Sequence, residues 1–160
     1  MPDAPQYGRC FTAWRDASAG TWHDCTTYVL VEGLREGTLS RAAFLTCLMQ
    51  DYPFLLHFSR DWGLWVVKAA TLDEMRACLA TVHPLVDGEM ALHLDVCASE
   101  RIDAAAREAA EESPENLAYT HFVLEAGYSG DFLTLLAVLA PCVVSRATRL
   151  EVSLRGQDRA

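Results

Sequence analysis

The chain has 160 residues, 51% of them hydrophobic and 22% charged, which is the balance of one folded globular domain and excludes a disordered or collagen-like chain. Its 13 basic and 22 acidic residues leave a net charge of −9, so a phosphate backbone or an anionic membrane surface is repelled and no nucleic acid partner is expected. The longest apolar run, 132–144, contains Thr134 and Pro141 and falls short of the roughly 20 residues that a membrane-spanning helix needs.

The start, Met1-Pro2-Asp3-Ala4-Pro5-Gln6, has neither the basic residues nor the apolar stretch of a secretory signal, and a cytoplasmic location is expected. Apolar residues then recur every three or four positions, and alternation of period two is nearly absent, which predicts an all-α fold. A first helix is expected over 12–36, closed by Gly37. A second runs over 41–69, opened by Ser40 and bent near Pro53. Thr71 and Glu74 form a capping box for a third helix over 72–97, and a short helix follows over 100–111. Ser113 before Pro114 starts a helix that Gly127 ends near 126, and Ser129 opens the last one, over 130–150. After 145 the chain turns arginine-rich and apolar-poor, an atypical tail on a single domain covering 1–160.

Few residues in these helices carry chemistry that packing alone does not explain. Asp51 shares a helix face with Phe44, Leu48 and Leu55, and a carboxylate in an apolar stripe needs a protein partner, a water or a ligand donor. A hydrogen bond to a tyrosine or an arginine on another helix is the plain reading. Cys142 continues the stripe of Leu135, Val138 and Leu139 beside Pro141, and core packing is the usual fate of such a thiol. Tyr119, with Phe122 and Val123, points its phenol at the core face, where the hydroxyl must find a partner.

Glu89, His93 and Cys97 recur every four residues, but three ligands on successive turns span about 12 Å, too far to share one ion. The structural reading is preferred there, and a metal-dependent oxidase using Glu89 and His93 is a third reading. The six cysteines, at 10, 25, 47, 78, 97 and 142, form no Cys-x-x-Cys pair and are expected to be reduced. His57 and His121 have no spacing that suggests a triad, and no phosphate loop or nucleophile elbow occurs.

Five segments taken together resemble the TenA family, also called thiaminase II or aminopyrimidine aminohydrolase. They are Val31-Glu32-Gly33-Leu34-Arg35, Gln50-Asp51-Tyr52-Pro53-Phe54-Leu55, Glu115-Asn116-Leu117-Ala118-Tyr119, Tyr128-Ser129-Gly130-Asp131-Phe132 and Leu139-Ala140-Pro141-Cys142. The resemblance begins near His23 and fades after Cys142. It implies a heme-oxygenase-like helical bundle, a homo-oligomer that is a tetramer in the family, and a pocket for thiamin or an aminopyrimidine, with no metal or organic cofactor.

By the resemblance, Cys142 is the catalytic thiol, Asp51 anchors the pyrimidine, and Tyr119 and Phe54 complete the substrate site. The reaction implied is hydrolysis that releases 4-amino-5-hydroxymethyl-2-methylpyrimidine for thiamin salvage. Against the family pattern, Arg146 stands where the family has a tyrosine, and the two further helices that members carry, the last with a catalytic glutamate, are lacking, which reads either as a truncation or frameshift or as a natural short variant. A catalytically degenerate pyrimidine-binding or oligomeric partner protein is the alternative. A DNA-binding regulator fits neither the charge nor the lack of a helix-turn-helix pattern.

Overall fold

The computed structural model describes residues 8–157, with side chains described for 8–144. It is all-α: among the described residues every regular element is helical. Among the described residues, no helix is long and apolar enough to cross a membrane. The chain divides into two compact units, 41–139 and the pair of segments 1–40 and 140–160.

In the discontinuous unit, the single helix expected over 12–36 is three: α1 (Arg9–Ala17), α2 (Ala19–Thr26) and α3 (Val29–Glu36). The breaks have local causes. Ser18 leaves helical geometry at φ −118°, two residues before the weak helix former Gly20. Thr26 and Thr27 turn their hydroxyls back onto the helix, donating to the carbonyls of Trp22 (2.8 Å) and His23 (2.7 Å), which competes with the helical ladder. Phe11 and Trp22 meet edge to face at 5.5 Å and join α1 to α2. Gly37 ends α3 in the left-handed conformation, φ 68°, as its position predicts.

The 41–139 unit is organised around α4 (Arg41–Lys68), which packs on α5 (Leu72–His83), on α6 (Met90–Ser99) and on α8 (Pro114–Ser129). Its buried residues Leu48, Leu55, Phe58, Trp62 and Trp65 follow the three-and-four spacing of a helix seam. Full burial of Leu55 contributes about 1.5–3 kcal/mol. The Thr71–Glu74 capping box forms as expected, Glu74 N donating to the Thr71 hydroxyl at 3.2 Å and Thr71 N to the Glu74 carboxylate at 3.0 Å.

The helix expected over 72–97 is not uniform. Between α5 and α6 the segment Pro84–Glu89 is a π-turn, which seats one residue more than an α-helix would. Counted as plain α-helix, Cys97 would sit about 100° around the axis from Cys78. With one residue absorbed by the π-turn the two share a face, and both are fully buried. Leu85 and His93 are buried along the same line.

A short α7 (Ala104–Glu108) is capped by Asp103, whose carboxylate accepts from Ala106 N at 2.8 Å. Ser113 caps α8 before Pro114 as predicted. Two boundaries differ from the sequence reading. Gly127 does not end α8 but lies buried inside it, where a Cβ would meet Leu64 at 3.0 Å. The cap of α9 (Phe132–Gln157) is Asp131 rather than Ser129: its carboxylate accepts from both Thr134 N and the Thr134 hydroxyl at 2.8 Å.

Gly130 makes the α8–α9 turn with almost no room to spare. A Cβ there would lie 2.7 Å from the Ala126 carbonyl and 2.6 Å from Thr134 Cγ2, and Lys68 Nζ donates to the Gly130 carbonyl at 2.5 Å. Gly130→Ala is therefore expected to destabilise the protein by about 1–3 kcal/mol through overpacking, seen as a lower urea midpoint with unchanged slope.

Candidate functional site

The Asp51 stripe forms as the sequence predicts. Leu48 and Leu55 are buried on the same face of α4, and the Asp51 side chain stays 35% exposed. Its protein partner is neither a tyrosine nor an arginine but His93 of α6, whose Nδ1 lies 3.5 Å from Oδ2. The other ring nitrogen, Nε2, is 3.4 Å from the Cys97 sulfur. Asp51, His93 and Cys97 thus form a row of carboxylate, imidazole and thiol. Among the described residues, no hydrogen bond reaches the second carboxylate oxygen, Oδ1.

Burial holds the two inner groups of this row neutral. It pushes the His93 imidazole below its ordinary value, assisted by the Arg107 charge and opposed by Asp51. It also pushes the Cys97 thiol up, against the pull of Arg107. Arg107 itself sits over the Tyr52 ring, 5.6 Å from its centre, and donates to the Ile102 carbonyl at 3.0 Å. The Tyr52 ring also stacks against His93, at 6.1 Å between centroids.

Phe54, one turn along α4 from Asp51, stacks on Tyr119 of α8 with centroids 6.1 Å apart and planes inclined by 27°. The Tyr119 hydroxyl donates to the Val138 carbonyl of α9 at 3.3 Å. Phe122, expected to share the core face with Tyr119, instead points outward at 57% exposure, while Val123 is buried. Gln50 fixes the approach to α8: its side chain donates to the Glu111 carbonyl at 2.8 Å and accepts from Ser113 N at 2.7 Å.

Asp51, Phe54 and Tyr119 therefore belong to the 41–139 unit, and Cys142 to the other. Cys142 lies on α9, beside Pro141 and one turn beyond the fully buried Leu139. The side chain of Arg146 falls outside the described residues. Glu89 is exposed on the π-turn, whereas both nitrogens of His93 face Asp51 and Cys97, so the spacing of four does not make Glu89 and His93 a pair. Among the described residues, no group of three His, Cys, Asp or Glu side chains is placed to hold a metal ion.

Two further features escaped the sequence reading. His57 pairs with Glu112 at 3.1 Å, a contact 55 residues apart that no local spacing announces. A cleft of about 240 Å³ opens beside it, lined by Tyr52, His57, Arg60, Arg107 and Glu112 among others. The structural reading of His93 holds, but its pairing with Asp51 was missed, because a straight-helix count hides the face that the π-turn gives it.

The TENA/THI-4/PQQC family model matches residues 15–153. A solved structure described as a TenA family transcription regulator from Silicibacter sp. TM1040 superposes with a TM-score of 0.91 at 49% identity, covering 94% of this chain and 67% of that one. The aminopyrimidine aminohydrolase of Helicobacter pylori is 30% identical over 121 residues, 76% of this chain and 56% of that protein. The enzyme of the same name from Halalkalibacterium halodurans is 30% identical over 124 residues, 78% of this chain and 55% of that protein. The chain thus spans a little over half the length of these curated relatives.

Proposed function

We propose, from the premise that this chain belongs to the TENA/THI-4/PQQC family, that it takes part in hydrolysis of thiamin-derived aminopyrimidines, releasing hydroxymethylpyrimidine for thiamin salvage. The observation that carries the reading is Asp51: a carboxylate about one-third exposed on an apolar helix face, with one oxygen on His93, the other open, and the Phe54–Tyr119 stack one turn away. An aminopyrimidine supplies what such a site lacks, an amino donor and a protonated ring nitrogen on a flat apolar body. Two relatives named aminopyrimidine aminohydrolase support the assignment.

In this reading Asp51 accepts from the amino group and the ring, while Phe54 and Tyr119 hold the ring plane. The Cys142 thiolate adds to a ring carbon, and the displaced electron pair moves onto a ring nitrogen that takes a proton from an acid. The amine then leaves the exocyclic methylene with its bonding pair. Water adds to that methylene, losing a proton, and the thiolate is expelled as the ring regains aromaticity. A cytoplasmic homo-oligomer is part of the proposal.

The test is incubation of purified protein with 4-amino-5-aminomethyl-2-methylpyrimidine. Release of hydroxymethylpyrimidine that Cys142→Ala stops is the expected result. A ligand that raises the melting temperature with no turnover would instead favour a binding protein of the same family.

A further inference from the structure

We propose that His93 is a positioning residue for Asp51, an inference that rests on the pyrimidine-binding reading of that carboxylate. The imidazole is buried, so it is neutral and carries a single N–H. Its two nitrogens face chemically different neighbours. Cys97 is fully buried and is a thiol, a donor, lying 3.4 Å from Nε2; Asp51 is an acceptor, lying 3.5 Å from Nδ1. Only one arrangement satisfies both: the Cys97 S–H donates to Nε2, and Nδ1–H donates to Asp51 Oδ2.

The consequence is directional. A neutral donor orients the carboxylate without cancelling its charge, and Oδ1 stays open for a ligand that brings its own N–H groups. A buried lysine or arginine in the same place would neutralise the anion that has to attract those donors. The groups around the imidazole all belong to this arrangement: Asp51 and Tyr52 from α4, Cys97 from α6 and Arg107 from α7. The Tyr52 ring, stacked on His93, limits its rotation. The π-turn at Pro84–Glu89 brings His93 and Cys97 to the buried face that meets α4.

Two measurements test the proposal. Nitrogen-15 NMR of the full chain without ligand is expected to show His93 neutral with the proton on Nδ1; a proton on Nε2, or on both nitrogens at pH 7.5, overturns it. Calorimetric binding of hydroxymethylpyrimidine then separates positioning from packing. His93→Asn places an amide donor near Nδ1 and is expected to keep Kd close to that of wild type. His93→Gln places its amide near Nε2 and is expected to raise Kd about tenfold or more, the loss that goes with one hydrogen bond to a charged group.

Equal affinity in both variants, or a larger loss in the asparagine variant, overturns the role. If wild type binds no pyrimidine at all, the functional reading of Asp51 fails, and the NMR result alone decides whether the histidine orients the carboxylate. A misfolded glutamine variant would likewise leave the NMR assignment as the deciding result.

Discussion

Asp51→Asn is expected to lower kcat/KM for an aminomethylpyrimidine by about a hundredfold or more while leaving the unfolding midpoint near that of wild type. The substitution keeps the shape of the side chain and one acceptor oxygen, which His93 Nδ1 can still reach. It removes the negative charge and turns the second acceptor into an N–H donor, which then faces the donors of the pyrimidine. Two hydrogen bonds to a charged group, at about 1.5–3 kcal/mol each, set the scale. Steady-state kinetics beside a urea titration make the check. A variant that turns over within threefold of wild type but unfolds at lower urea would mean that Asp51 serves only to hold α6 on α4.

The second large effect concerns stability and a different carboxylate. Asp61 is 2% exposed on α4, and burial raises its pKa from 3.8 to about 6, against the lowering pull of His57 and Arg60. Because the folded protein binds this proton more tightly than the unfolded chain, the contribution to stability is full below 3.8 and is lost as the pH rises through 6. At pH 8 the buried charge costs the fold about 3 kcal/mol, from roughly two pKa units at about 1.4 kcal/mol each. Asp61→Asn is thus expected to be more stable than wild type at pH 8, with the gain shrinking toward zero as the pH falls from 6 to 4. Urea unfolding at three pH values reads this directly, and a pH-independent difference would exclude Asp61 as its source.

The parts of this molecule that were legible in the sequence are those set by neighbours along the chain. The Thr71–Glu74 box, the Ser113–Pro114 start, Gly37 and the Asp51 stripe each depend on residues within about two turns, and each forms. The misread features depend on what lies further off or on exceptions to regular geometry. Gly127 looks like a helix terminator by composition, but it sits inside α8 where an added Cβ would lie 3.0 Å from the Leu64 side chain, which would have to give way. Ser129 and Asp131 are both competent caps, and the turn geometry chooses the aspartate. Pairing of Asp51 with His93 was concealed twice, by a separation of 42 residues along the chain and by the extra residue in the π-turn.

That extra residue means that the orientation of the imidazole is stored as a count and not as a chemistry. Exchanging one side chain for another between 84 and 89 leaves the count intact. Losing a single codon from the same stretch would only relax the π-turn to plain α-helix with the same face inward, but gaining one more would swing everything downstream by about 100°. The helix would survive that gain while its histidine faced away from its acid, so the gene can drift in letters here far more freely than it can grow.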